Sequence, residues 1–169
     1  SFEPLLNEKN TTTTWMDSCR INVDGVGFVT VTIHTTSSGQ GHETLAATVV
    51  GEVLEIDPDK IRIVRPDSLA SLPSNTPVGS RMAIMMGGAC YHAAQKLKAK
   101  LIKIAAHQFG IADDDADYAQ GNVSDPTSGK TLSWMELVNL GHRQFHSLPE
   151  GMEPGLETTH VMQVPTGSK

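Results

Sequence analysis

From Met82 to about Gln108 the chain places Met82, Met85, Met86, Ala89, Ala93, Leu97, Leu101, Ile104 and Ala105 at three- and four-residue steps. That spacing marks one face of a long helix, with Gly110 as its C-terminal stop. A stripe of this length has to be buried against other elements. Gly87-Gly88 interrupts it, at a helix-propensity cost of about 1 kcal/mol per glycine relative to alanine, so a neighbour is expected to pack very close there.

The partners for that face are legible upstream. The run Cys19 to Ile33 alternates β-branched and polar residues on both sides of Asp24-Gly25, a dipeptide that tolerates the positive φ angles of a tight hairpin turn. Leu45, Ala46, Val49, Val50, Val53 and Leu54 then describe a helix with one buried stripe, ending before Asp57-Pro58, and Ile61 to Val64 read as a short strand. Next comes a loop, Arg65 to Val78, that holds Pro66, Pro73 and Pro77 and ends in Gly79-Ser80-Arg81. A weak hairpin is expected around Asp125-Pro126-Thr127-Ser128-Gly129-Lys130, and a helix opened by Ser133 as N-cap with Glu136 three positions on. Residues 1–18, threonine-rich at Thr11 to Thr14, read as an irregular lead-in, and 148–169 as an irregular Pro/Gly-rich tail. The expected fold is α/β of the α+β type. A β-hairpin and short strands pack against two or three helices, one of them long and rich in glycine and alanine.

At 169 residues a single domain over 1–169 is the default, and 38% apolar, 19% charged and 5% aromatic residues place it among globular chains. The net charge of −6 disfavours a nucleic-acid role, because the basic residues are scattered apart from Lys96, Lys98, Lys100 and Lys103. No apolar run approaches the ~18 residues needed to span a bilayer and no signal segment opens the chain, so it is expected to be soluble and cytoplasmic. Ser1 in place of methionine points to a trimmed, tagged or excised chain. Cys19 and Cys90 belong to no metal-ligand array and read as buried thiols, with a disulfide also open.

Two strand- or loop-to-helix junctions are candidates for chemistry. Gly39-Gln40-Gly41 removes Cβ atoms on both sides of a neutral amide donor, just before a helix whose first N–H groups suit an anion or oxo group. A tight turn that needs glycine for its own geometry fits the same spacing. Gly79-Ser80-Arg81 again places glycine, a hydroxyl and a guanidinium at a helix start. Arginine there opposes the helix dipole and so suggests an anionic partner, the other reading being a Ser80 N-cap with a solvated arginine. Both junctions could serve one polyanionic ligand. His42-Glu43-Thr44-Leu45-Ala46 begins like a zinc-protease helix, but Ala46 stands where the second histidine must be. His142 and His146 read as surface or packing histidines. Asp113, Asp115 and Asp117 read as a solvated acidic turn, because Tyr118 and Ser124 occupy key positions of a calcium loop. No metal site is expected in the chain.

The stretches "GQGHETLAATVVGEVL", "IRIVRPDS" and "LPSNTPVGSRMAIMMGGACYHAAQKLKAKL", in this order, resemble the molybdenum-binding subunit of the xanthine dehydrogenase / aldehyde oxidase / carbon monoxide dehydrogenase family. The resemblance covers about residues 19–160. It implies a molybdenum-pyranopterin cofactor (molybdopterin, with an added nucleotide left open), and Gln40 as the amide that reaches an oxo ligand on molybdenum. Gly39 and Gly41 would permit the cofactor's approach, and Gly79, Ser80, Arg81 and Met82 would hold the pterin or its phosphate through backbone N–H groups. It also implies hydroxylation of a small carbon substrate with water-derived oxygen. The partners would be the remaining segments of the molybdenum subunit, an iron–sulfur subunit and a flavin (FAD) subunit.

The family's catalytic glutamate sits in a "GxGE" setting that does not occur before Lys169, and Glu150 and Glu153 do not fit it. No catalytic residue is therefore assigned in this chain, which is expected to hold part of a cofactor site and not to turn over substrate alone. An excised domain and a split subunit are both open, as are a non-catalytic scaffold and an unrelated anion- or nucleotide-binding domain.

Overall fold

The structure, a computed structural model, describes residues 16–35, 37–65, 67, 69, 74 and 81–163. Strand β1 (Met16–Val23) and strand β2 (Val29–Ile33) form the expected hairpin, in a register that pairs Cys19 with Ile33 and Val23 with Val29. The turn differs from expectation. It is a five-residue loop, 24–28, in which Asp24 Oδ1 accepts from the backbone N–H groups of Val26 and Phe28, each at 3.0 Å. The positive φ falls on Gly27 (89°), not on Asp24 or Gly25. Gly27 is also where a Cβ would stand 2.7 Å from Met135 Sδ, while its carbonyl accepts from the indole of Trp134 at 3.0 Å. A distant helix thus decides the turn.

Helix α1 (His42–Leu54) and strand β3 (Ile61–Val64) follow where the periodicity puts them. β3 pairs parallel to β2, which requires a crossover, and α1 supplies it. Helix α2 (Met82–Phe109) buries the expected face, and Gly110, in the left-handed conformation (φ 74°), ends it by donating to the Ala106 and His107 carbonyls. The close approach foreseen at Gly87-Gly88 is met from two sides. A Cβ on Gly88 would lie 3.3 Å from Met162 Sδ, and one on Gly87 would lie 3.9 Å from Leu45 Cδ2.

Strands β4 (Asp117–Ala119), β5 (Asn122–Ser124) and β6 (Thr131–Leu132) make a small second sheet, with β5 and β6 flanking the hairpin loop at 125–130. Helix α3 (Trp134–Arg143) opens on the expected capping box of Ser133 and Glu136. Both irregular ends need correction. β1 begins at Met16, inside the expected lead-in, and residues 156–163 of the expected tail form an eight-residue strand, β7 (Leu156–Gln163), antiparallel along the whole of β1. Its turn-rich approach, Pro149 to Gly155, and its mixed sequence Leu-Glu-Thr-Thr-His-Val-Met-Gln hid a strand that only β1 can hold.

The main sheet has the order β3-β2-β1-β7. One face, carrying Cys19, Ile21, Val23, Val29, Val31 and Ile33, is fully buried with the stripes of α1 and α2. The result is a mixed α+β fold of helices layered on one side of a sheet. Three of the clustered lysines act inside this layer. Lys96 Nζ donates to Thr159 O (3.0 Å), Lys98 pairs with Glu55 (3.1 Å), and Lys100 donates to Glu153 O (3.1 Å) and Gly155 O (2.7 Å). They staple α2 to its neighbours.

Candidate functional site

The first junction leaves β2 through the buried His34 and Thr35 and emerges at 38–41, all exposed. Gly39 (φ 94°) and Gly41 (φ 74°) both hold left-handed backbone, and among the described residues nothing lies within 4 Å of where a Cβ would stand on either. The turn thus needs glycine for its own geometry, and the described residues leave space outside it. The Ser38 N–H donates to Gln40 Oε1 at 2.6 Å. Because a backbone N–H demands an oxygen, that bond fixes the amide's orientation and leaves Nε2 as the donor end. Gln40 is exposed, so the donor faces solvent.

Helix α1 starts at Gly41, whose carbonyl accepts from Leu45 N–H at 3.0 Å, and it carries no side-chain N-cap. Its first N–H groups are not used by the helix itself. Glu43 accepts from its own backbone N–H, from Ser37 and from Arg65, which together hold its carboxyl below the ordinary value. Arg65 Nε lies 2.9 Å from Glu43 Oε1, so this carboxylate arrives already neutralised. His42 is only 5% exposed, and its Nδ1 has no hydrogen-bond partner among the described residues. Ala46, where a second zinc-binding histidine would have to be, is buried in the core.

The second junction is described from Arg81 onward; Gly79 and Ser80 lie outside the described residues. The Arg81 carbonyl accepts from Ile84 N–H (3.0 Å) and Met85 N–H (2.9 Å) at the start of α2. Its guanidinium does not face solvent or an open anion site. It is 2% exposed, with Nη1 3.2 Å from Oδ2 of Asp17, itself 1% exposed. The anionic partner that an arginine at a helix start calls for is thus a carboxylate of this chain, which corrects the expectation of a side chain directed at ligand. Met82, 7% exposed, likewise turns its side chain into the core. What either residue can offer a ligand is backbone.

The two junctions lie at the same end of the helix layer. Leu45, in the first turn of α1, sits against Gly87 near the start of α2, and Glu55 just past the end of α1 pairs with Lys98 further along α2. The helices therefore run side by side in the same direction, with both N-termini at one edge. The carboxyl ends of the parallel strands β2 and β3 meet that edge, as does the start of β1 with Asp17.

Sequence reasoning missed Asp17 by leaving it in the lead-in. A signal was present, since the period-two phase of the buried Cys19, Ile21 and Val23 lands on Asp17 when extended back by one step. The remaining candidates stay apart from this edge's chemistry. His142 Nε2 lies 2.8 Å from Val23 O, a packing role, His146 is exposed, and Asp113 to Asp115 form an exposed 3-10 turn. Cys19 and Cys90 are buried free thiols, and a hydrogen bond with Cys90 together with burial pushes the Cys19 thiol up.

A glycine-flanked amide donor, two parallel helix starts and the carboxyl ends of parallel strands are thus gathered at one edge. The chain belongs to the molybdopterin cofactor-binding domain family, whose pattern matches residues 2–168. It is 30% identical over 149 residues to the carbon monoxide dehydrogenase large chain of Hydrogenophaga pseudoflava, covering 88% of this chain and 18% of that protein. To the nicotine 6-hydroxylase large subunit of Paenarthrobacter nicotinovorans it is 28% identical, covering 92% of this chain and 19% of that protein. The solved structure of quinoline 2-oxidoreductase from Pseudomonas putida 86 superposes with a TM-score of 0.80 at 28% identity, over 90% of this chain and 19% of that one. The chain thus spans less than a fifth of the length of these relatives. The residues present fit a molybdopterin. Among the described residues, the space beyond Gly39 and Gly41 is open, the amide donor of Gln40 points outward, and a buried imidazole nitrogen at His42 lacks a partner.

Proposed function

We propose that this chain supplies one wall of the molybdopterin site of a molybdenum hydroxylase that inserts water-derived oxygen into a small carbon substrate. When bound, the cofactor supplies the redox chemistry, and the protein supplies placement and electrostatics. Gln40 carries the reading. Its Oε1 is engaged by Ser38, so Nε2 is held ready to donate toward an electron-rich oxygen of the bound group without bringing a charge or a labile proton. The N–H groups at the starts of α1 and α2 add two partial positive charges at the same edge. The related proteins are a large chain and a large subunit of bigger enzymes. This supports further partners here, for which we propose the rest of the molybdenum subunit, an iron–sulfur subunit and an FAD subunit. The substrate class follows no residue of this chain.

The test is cofactor content. Gln40→Glu keeps an oxygen for the Ser38 N–H and replaces only the donor end by a carboxylate, while Gln40→Ala removes both. In the assembled enzyme both variants are expected to lose most bound molybdenum and pterin, or to shift the absorption of the metal centre, with Gln40→Glu the more severe because it adds a negative charge beside an anionic group. Unchanged loading and spectrum in both would remove Gln40 from the site. Wild-type assemblies free of pterin would favour a scaffold in place of a cofactor domain.

A further inference from the structure

The buried stripe of α1 runs back through Leu54, Val50 and Ala46 and ends, at the helix start, in His42. An apolar side chain would complete such a stripe. The position holds an imidazole instead, 5% exposed, whose buried Nδ1 has no hydrogen-bond partner among the described residues. An unsatisfied buried nitrogen costs stability that leucine or valine would not. The direction of the side chain gives that nitrogen a use. Side chains of a helix lean toward its N-terminus, so the ring of the first residue projects past the first turn, toward the edge where Gln40 and the starts of α1 and α2 lie. Gly41, between Gln40 and His42, meets nothing within 4 Å of where a Cβ would stand among the described residues, so the backbone there is open to a bulky group.

We propose that His42 is a cofactor-binding residue: its Nδ1–H donates to an electron-rich oxygen of the bound molybdopterin, from the core side of the turn that carries Gln40. The proposal rests on the molybdopterin reading of this edge. α1 has no side-chain N-cap, and its first N–H groups already favour an acceptor at this end. In the tautomer with its hydrogen on Nδ1, the imidazole adds one more donor to them. Because the ring is buried, water competes little for that bond, and the bond is worth more than an exposed one. Gln40 is exposed and His42 is buried, so the two side chains would hold the group from its solvent side and its core side.

The experiment measures two quantities in His42→Leu, His42→Asn and His42→Gln. One is the rate at which the assembled enzyme loses pterin and molybdenum on dialysis. The other is the thermal midpoint of the same assembly prepared without cofactor. Asparagine places an amide near the position of Nδ1, glutamine near that of Nε2, and leucine supplies neither. Cofactor loss is expected to be about tenfold faster in His42→Leu and His42→Gln, the effect of one lost hydrogen bond to a charged acceptor, and close to wild type in His42→Asn. The cofactor-free midpoint of His42→Leu is expected to equal or exceed that of the wild type, because the orphaned nitrogen is gone and the apolar stripe is complete. A histidine with a purely structural role predicts the opposite, a midpoint that falls together with retention. That result, or wild-type retention in His42→Leu, would overturn the proposal. If His42→Leu does not assemble, the two amides decide: faster loss in His42→Gln than in His42→Asn supports the bond from Nδ1, and equal rates overturn it. A wild-type assembly without pterin would remove the molybdopterin reading and this proposal together. A pterin-bearing enzyme that is sensitive to Gln40→Ala and indifferent to His42→Leu would overturn the role of His42 alone.

Discussion

Gly141 in α3 offers a test in which two known effects oppose each other. Its carbonyl accepts from Gly155 N–H at 2.8 Å, just before β7, and a Cβ there would stand 2.8 Å from both Cδ2 and Cγ of Leu156, which is 1% exposed. Carbon atoms pack at about 3.5–4.0 Å, so the added methyl has to displace Leu156 by roughly an ångström. Overpacking of this kind costs about 1–3 kcal/mol. The same substitution gains about 1 kcal/mol of helix propensity. Gly141→Ala is therefore expected to lower stability by about 0–2 kcal/mol in urea unfolding, from the difference of those two terms. The sign should reverse once Leu156 is truncated. Leu156→Ala alone costs about 2–5 kcal/mol, but on that background Gly141→Ala has room for its methyl and should stabilise by up to about 1 kcal/mol. Additive effects, or a Gly141→Ala that stabilises the wild type, would refute the idea that close seating of β7 on α3 explains this glycine.

Two further outcomes are expected. Ser133→Ala removes the side of the capping box in which Ser133 Oγ accepts from Glu136 N–H at 3.4 Å, and should cost about 1 kcal/mol in the same unfolding assay. Acid should weaken the fold in two separate windows. Burial, Lys96 and His92 lower the pKa of His160, and burial and Arg20 lower that of His34, so the unfolded chain takes up protons near the ordinary value of 6.5 before the folded one does. Stability is then level at higher pH and falls as pH drops through about 6.5, with a shallower fall in His160→Gln. Glu43, Glu55, Asp125 and Glu136, whose pKa values are lowered, add their loss only below about 4.5. A midpoint that rises on acidification from pH 7 to 5.5 would contradict the assignment for both histidines.

The elements that were legible in the sequence are those with a local signal. The face of α2, the stripe of α1, the stop at Gly110 and the Ser133 cap each follow from spacing or from a capping residue within a few positions. β7 had no such signal. Its side chains mix apolar and polar on both faces, and a strand with that pattern exists only because β1 offers it eight residues of ladder. The hairpin turn was misplaced for a related reason, since Gly27 is constrained by Trp134 and Met135, more than a hundred positions away.

The same division runs through the site. The sequence by itself determined the Gly39-Gln40-Gly41 junction, because positive φ, a missing Cβ and a neutral donor are properties of single residues and their neighbours. It also suggested an anionic partner for Arg81 at a helix start. Only the tertiary structure decided that the anion is Asp17, that Met82 faces the core, and that α1 and α2 start at one edge. Charge pairing and helix direction depend on which elements fold against each other, and local spacing carries no record of a partner brought in from 64 residues away.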